Sequence, residues 1–389
     1  MTEKGVDGPS SKHVNASVQK VNRYVRLDDI ARTAGVSKAV VSYVIRNKAA
    51  KYRISDETCK RVRQIVKQLG YIPHAFASSL RSGGFKMLGL VVQDISYQFY
   101  SELARGVTDL AHEHGYNVIY CSTYSSLVRE KELVFSLLAQ RIEGLILLPA
   151  NPTRASYLNV LVDRGVPLVL FQNTPPDKPL SSATFDDAHG TYLATHHLLS
   201  LGHRKVMFCG TCNSLEMVQI IERSREKGFL RALQEFGISD ESRRIFRFHD
   251  HKSAILKKEV TAFFRRRELT TGLVCISDHL AMSMVLEAQS AGLRVPQNIS
   301  IIGNDDIDFC QYLRPELSSV HFPRYEMGQK LASMIFEQIK AAAEQHPANP
   351  RHDLMLPTLA LRGSCGAPPK FDESGVNPKE EGPRRPRRI

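Results

Sequence analysis

From Met87 onward the sequence repeats one unit, a short apolar run of strand length followed by a helical stretch. The runs are MLGLVVQD, YNVIYCS, EGLILLPA, VPLVLFQ, RKVMFCG, TGLVCIS and NISIIGND; between them lie stretches such as FYSELARGVTDLAHEHG and HGTYLATHHLLSLG. Strands apolar on both faces belong in parallel sheets with helices on each side. The pattern persists for about 275 residues, large for one sheet. Two lobes around a cleft are therefore predicted, with a ligand near the carboxyl ends of the strands.

Charge separates this region from what precedes it. The 389-residue chain carries a formal net charge of +12. Fifteen Lys and Arg lie between Lys20 and Lys86, against only Asp28, Asp29, Asp56 and Glu57, so residues 87–363 are close to neutral. A basic segment beside a neutral domain points to a polyanion, with duplex DNA or RNA as the default candidate and a solvated basic surface as the plain alternative. No apolar stretch approaches the length of a membrane span, and the polar start MTEKGVDGPSSKHVNASVQK is no secretory signal. Seven scattered cysteines suit reduced thiols. The expected location is cytoplasmic, on the nucleoid, with no membrane partner.

Within the basic segment, RLDDIARTAGVSKAVVSYVIRN has the form helix, turn, helix. Leu27, Ile30, Ala31 and Ala34 share a helical face, Gly35 ends that helix, and Ser37 is placed to cap the next, whose Val40, Val41, Val44 and Ile45 point inward. A third helix starts at Ser55, with Asp56 and Glu57 in its first turn and Val62, Ile65, Val66 and Leu69 as its apolar stripe. The second helix turns Lys38, Ala39, Ser42, Tyr43 and Arg46 outward, a polar and basic face suited to a major groove.

These motifs resemble the DNA-binding head of the lactose/galactose repressor (LacI/GalR) family of bacterial transcription regulators. IARTAGVSKAVVS matches the family's IA..AGVS..TVS run, and YIPHAFASSLRSG matches its hinge. The resemblance implies DNA contacts by Ser37, Lys38, Ala39, Ser42, Tyr43 and Arg46. It also implies a hinge helix over 73–86 whose Ala77 and Leu80 meet the minor groove, where a wedged leucine bends the duplex. An ordinary linker is the alternative. The chain departs from the family at Val40 for Thr, Tyr43 for a base-reading Arg, His74 for Asn and Arg46 for Asn. Its loop KAAKYR before Ile54 is longer than in the lactose repressor.

Beyond the head, LLSLGHRKVMFCG, RSREKGFLRAL and GLRVPQNISIIGNDD resemble the family's periplasmic-binding-protein-like core. The family's R..GF arginine falls on Arg225, an anchor for sugar hydroxyls or a carboxylate. Asp305 of the Gly303–Asp306 turn is the second implied effector contact, and Asp278 follows Ser277 where the family has ND. Asp94, Phe99 and Tyr100 occupy the family's first-lobe loop, and Asn173 a strand end. A surface ion pair for Arg225 and a turn role for Asp305 are the plainer alternatives.

The expected fold is an N-terminal all-α helix-turn-helix head plus an α/β two-lobed periplasmic-binding-protein-like core with parallel sheets. The divisions are 1–24, a disordered extension; 25–72, the DNA-binding domain; 73–86, the hinge; 87–363, the effector-binding and dimerisation core; and 364–389, a disordered basic tail. Lobe 1 takes about 87–185 and 318–345, lobe 2 about 186–317 and 346–363. The implied function is sequence-specific repression by a homodimer on a pseudo-palindromic operator, with DNA affinity changed by a small sugar or sugar derivative. Cys209 and Cys212 have redox or zinc-knuckle spacing without a second pair, and His196-His197 suggests helix packing, so no metal and no cofactor is expected. Of two rivals, a periplasmic sugar-binding protein needs a signal peptide and no basic head. An enzyme needs a nucleophile elbow or a paired acid and base, and none is visible.

Overall fold

The computed structural model describes residues 25–71, 85–152, 154–172, 180–212, 216–238, 244–249, 254–265, 270–345 and 349–369. It divides into two compact units, Met1–Gly83 and Gly84–Ile389. The expectations for the first 24 residues, for the hinge with Ala77 and Leu80, for Asn173, and for the tail beyond Pro369 lie outside the described residues.

In the first unit, α1 (Leu27–Ala34), α2 (Lys38–Ile45) and α3 (Asp56–Gln68) pack around Ile30, Val41, Val44 and Val62, all 1% exposed or less. Fully burying each such side chain contributes about 1.5–3 kcal/mol. Helix α1 stops because Gly35 turns left-handed at φ 63°, a conformation that costs other residues energy. Ser37 then caps α2 by accepting the Val40 amide, and Ser55 caps α3 by accepting the Thr58 amide. The expected stripe of α3 is corrected at one end. Leu69 lies past the last helical residue and is 37% exposed, and Cys59, one turn before Val62, is buried in the core instead.

The second unit holds two six-stranded sheets. The first runs β11-β5-β4-β3-β1-β2, from β1 (Met87–Val92), β2 (Asn117–Ser122), β3 (Gly144–Leu147), β4 (Leu168–Phe171), β5 (Ser181–Phe185) and β11 (His352–Met355), with every pairing parallel. The second runs β12-β10-β9-β8-β6-β7, from β6 (Val206–Thr211), β7 (Ile245–Phe248), β8 (Gly272–Cys275), β9 (Ser300–Asp305), β10 (Ser318–His321) and β12 (Thr358–Ala360). Only β12 is antiparallel to its neighbour.

Helices α4 (Gln98–Glu113), α5 (Leu127–Ala139), α6 (Leu158–Asp163) and α11 (Arg324–Ala343) accompany the first sheet. Helices α7 (Asp187–Ser200), α8 (Glu216–Glu235), α9 (Ala254–Arg265) and α10 (Asp278–Ser290) accompany the second. Among the described residues no helix is long and apolar enough to cross a membrane.

The strands divide otherwise than expected at two places. Ser318–His321 lies in the second sheet, so the chain changes lobe only after His321, and His352–Met355 returns to the edge of the first sheet. The sequence SSVH hides this because its strand signal is polar. Ser318 and Ser319 are nonetheless wholly buried, with Ser319 donating to Asp278 at 2.5 Å and the Ser318 amide donating to the Ser364 hydroxyl at 2.8 Å.

The expected disordered tail is likewise corrected over its first residues. Ser364 is buried, donates to the Ile301 carbonyl at 2.5 Å and accepts the Ile301 amide at its own carbonyl at 3.0 Å, while the Gly366 amide donates to the Ser300 hydroxyl at 3.0 Å. Tertiary hydrogen bonds along β9 override a composition rich in Pro and Gly.

Candidate functional site

Two groups of side chains, one in each unit, carry the candidate chemistry. On α2, Lys38, Ala39 and Arg46 are exposed, and Ser42 and Tyr43 are half-buried. Lys38 donates to Asp28 of α1 at 2.9 Å. The Ser37 oxygen accepts the Val40 amide, leaving its hydroxyl proton free to donate outward. Arg46 falls one residue past the last turn, as the C-cap. The ring of Tyr43 lies against Tyr52, with centroids 3.6 Å apart and planes 10° from parallel.

The second group lies in the core, where strand ends of both sheets converge. Arg225 of α8 is 7% exposed. Its Nε donates to Asp187 Oδ1 at 3.0 Å, its Nη2 stands 2.9 Å from the same oxygen and 3.6 Å from Asp305, and Nη1 donates to the Ile276 carbonyl. The guanidinium carbon is 5.4 Å from the Phe322 ring centroid. Gly228 belongs to the same motif for a packing reason: a Cβ there would overlap the Ala188 carbonyl oxygen of α7.

Asp305 ends β9 at φ 125°, a left-handed conformation costly for any residue but glycine. Burial outweighs the attraction of Arg225 and pushes its carboxyl up to about 7. Asp187, in the first turn of α7, is raised by burial and lowered less by Arg225.

Arg324, 2% exposed, joins the two lobes. Its Nε donates to Glu102 of α4 at 2.9 Å, while Nη1 donates to the Asp305 carbonyl and Nη2 to the Asp306 carbonyl at 3.1 Å. It also lies 5.9 Å from the ring centroid of Phe99. Phe99 in turn stacks on Phe171 at 6.2 Å and meets Phe185 edge-on at 6.1 Å, and Phe185 contacts Phe322 at 5.0 Å. Tyr100 donates to Gln93 Oε1 at 3.1 Å, and burial raises its hydroxyl further above the usual tyrosine range. Asp94 accepts the Ser96 amide at 2.9 Å and shapes the loop before α4. Among the described residues, the Gln93 Nε2 and Tyr120 hydroxyl are buried side-chain groups without a hydrogen-bond partner.

Of the expected effector contacts, Arg225 and Asp305 are brought together, and Phe99 joins them through the Phe185–Phe322 contacts and Arg324. Asp278 stands beside that group, and its charge acts on both Arg225 and Asp305. It is wholly buried, with one carboxylate oxygen accepting Ser319 and the other the Ile307 amide at 2.9 Å, and so holds the turn after β9. Sequence reasoning missed Asp187, Phe322, Arg324 and Glu102. The acidic pair DD opening α7 after a strand was the available signal for Asp187. Cys209 is buried inside β6 while Cys212 is exposed past its end. Among the described residues no His, Cys, Asp and Glu cluster has metal-holding geometry.

Residues 26–74 match the bacterial regulatory proteins of the lacI family, and residues 195–365 match a periplasmic binding protein-like domain. The HTH-type transcriptional repressor PurR of Aliivibrio salmonicida is 30% identical over 315 residues, covering 81% of this chain and 92% of that protein. The chain belongs to the lacI family. A second PurR, of Photobacterium profundum, is 30% identical over 339 residues, covering 87% of this chain and 98% of that protein.

Among solved structures, a LacI family transcriptional regulator from Enterococcus faecium with bound ribose is 26% identical with a TM-score of 0.63, covering 72% of this chain and 99% of that chain. The lac repressor dimer bound to operator and the anti-inducer ONPF is 22% identical, has a TM-score of 0.73 and covers 89% of this chain and 100% of that one, a likeness of fold. The helical head and two-sheet core are thus the lacI-family architecture.

Proposed function

We propose that this lacI-family chain is a cytoplasmic transcriptional repressor, without enzymatic activity, that binds a pseudo-palindromic operator as a homodimer. A small sugar or sugar derivative bound between the lobes changes its DNA affinity. Two copies of α2 lie in successive major grooves, so the operator mirrors the two-fold axis of the dimer. Lys38, Ala39, Ser42 and Tyr43 face base edges, Arg46 takes a base or a phosphate, and Ser37 contacts the DNA beside them. Ala77 and Leu80 contribute minor-groove contacts beside them.

One observation carries the effector assignment. A buried arginine and a half-buried, strained aspartate stand 3.6 Å apart at the converging strand ends of two lobes, with the Phe322 ring beside them. Such a pair offers donors and an acceptor to vicinal hydroxyls, and aromatic faces accept the apolar face of a sugar ring. Phe99, Tyr100 and Asp94 supply the first-lobe wall, and the family resemblance adds Asn173 as an effector contact. The ribose bound by the Enterococcus faecium regulator favours the same ligand class. Effector binding favours one lobe arrangement over another, and its differential affinity is all that can shift the DNA equilibrium.

A thermal-shift screen of the purified chain with ribose, other sugars and nucleobases tests this. A true effector at 100 times its Kd adds about 2.7 kcal/mol of stability and alters retention of a selected operator duplex. Stabilisation by nucleobases alone would replace the sugar reading.

A further inference from the structure

Every nitrogen of the two buried guanidiniums at the lobe junction already has a protein partner. Arg225 spends Nε and Nη2 on Asp187 and Nη1 on the Ile276 carbonyl, and its 3.6 Å approach to Asp305 adds a second carboxylate. Arg324 spends Nε on Glu102 and its two Nη on the Asp305 and Asp306 carbonyls. The remaining N–H hydrogens can serve a hydroxyl, but the positive charge is spent.

Carboxylates outnumber these two cations. Besides Asp187, Asp305 and Glu102, Asp278 lies near enough for its charge to act on Arg225 and Asp305, and Asp94 acts on Tyr100 and Tyr120 of the first lobe. Among the described residues, no other Lys or Arg forms an ion pair with Asp187, Asp278, Asp305 or Glu102. The excess shows in the acids themselves. Burial holds the Asp305 carboxyl at about 7 in spite of Arg225, and it raises Asp187 and Asp278 as well.

What the first-lobe wall leaves open is uncharged. Gln93 Nε2, just past the end of β1, and the Tyr120 hydroxyl are buried without a hydrogen-bond partner. Tyr100 stands between them and the second lobe, donating to Gln93 Oε1 and feeling the charge of Asp305. A buried amide or hydroxyl without a partner is costly, and a ligand hydroxyl relieves that cost without bringing charge.

We infer that the effector site selects an uncharged, hydroxyl-bearing ligand and rejects the phosphate esters and carboxylic acids of the same sugar. Arg225 is neutralised by Asp187 before a ligand arrives, so an anion entering the cleft meets carboxylates and no spare counter-charge. This rests on the cleft being the effector site, as argued above.

The test is calorimetric titration of the full chain at pH 8 with neutral sugars, each paired with its anionic derivative. The pairs are ribose with ribose 5-phosphate, glucose with glucuronate and with glucose 6-phosphate, and galactose with galacturonate. At this pH an imidazole is neutral, so His279, whose ring meets Tyr97 edge-on at 6.0 Å, adds no cation. At least one neutral sugar is expected to bind, and its anionic partner at least about tenfold more weakly. The uronates differ little in size from their parent sugars and so separate charge from bulk. Asp187→Asn and Glu102→Gln each strip one guanidinium of its counter-charge, and both should narrow the difference severalfold. An anion that binds as tightly as its neutral parent overturns the inference, as does a rejection that neither variant reduces. Binding by no member of the panel removes the sugar reading of the cleft and this inference with it.

Discussion

Arg324 and Glu102 meet at 2.9 Å, although 222 residues separate them in the chain. The remaining nitrogens of the same guanidinium hold the Asp305 and Asp306 carbonyls at the end of β9. One side chain therefore ties α4 of the first lobe to the strand end that carries Asp305 toward Arg225. Methionine at 324 leaves these acceptors without their donor. Arg324→Met is expected to lower stability by about 3 kcal/mol, measured as a shift of the urea midpoint at unchanged slope.

Arg225 is the sole cation within 4 Å of Asp187 among the described residues. Its removal leaves the buried Asp187 without its counter-charge and Asp305 with Arg324 alone. Arg225→Met should abolish stabilisation by any sugar that stabilises the wild type and cost about 3–5 kcal/mol at neutral pH. The loss should shrink as pH falls, because Asp187 and Asp305, both raised by burial, take up protons earlier than free carboxylates. The double variant Asp187→Asn with Arg225→Met should recover much of the stability and none of the sugar response.

Glu130 gives a second pH dependence, away from the effector group. It is wholly buried, accepting the Ala150 amide at 2.5 Å and the Tyr157 hydroxyl at 2.6 Å, and burial pushes its carboxyl from 4.5 to about 7. Between those values the folded chain holds a proton that the unfolded chain has released. Stability must then fall as pH rises from 4.5 to about 7, by up to about 1.4 kcal/mol per pH unit for one proton. Asp305, also raised to about 7, acts in the same direction. Glu130→Gln should flatten this slope between pH 5 and 7 in denaturant titrations. Its absolute stability should drop, because an amide has one acceptor oxygen for two donors.

The turn chemistry of the head was legible because it is local. Gly35, Ser37 and Ser55 each act within four residues of themselves, and sequence spacing captures such relations. The central strands were legible because burial on both faces leaves no polar position. The strand Ser318–His321 was not, since its buried serines are satisfied by Ser364 and Asp278, which are remote in sequence. Arg225 and Asp305 came from a family motif, whereas Asp187 and Arg324 carry no local sign of their partners 38 and 222 residues away. Asp278 was legible as a motif position, but its bonds to the Ile307 amide and Ser319, 29 and 41 residues away, were not.

Gly228 is a packing requirement inside the motif that carries Arg225. Its Cβ position is filled by the Ala188 carbonyl and the Tyr192 amide of α7. Gly228→Ala must push α7 and α8 apart, at an expected cost of about 1–3 kcal/mol. Because Asp187 and Arg225 lie on these two helices, ribose or any other stabilising sugar should bind more weakly as well. A thermal-shift titration reads both effects at once.

Lys38 is engaged before DNA arrives. Its 2.9 Å pair with Asp28 is exposed, and such pairs hold weakly in salt. Binding to a duplex must exchange Asp28 for a phosphate or base edge, with the aspartate charge left close to the polyanion. Asp28→Asn removes the competitor and the repulsion together, so affinity for any duplex should rise severalfold at low ionic strength. Lys38→Met should lower affinity and, where the contact is a phosphate, reduce the slope of log K against log salt by about 0.9. Fluorescence anisotropy across roughly 50–300 mM salt measures both. If Asp28→Asn bound duplex no more tightly than wild type at the lowest salt, Lys38 would not be among the groups that face DNA.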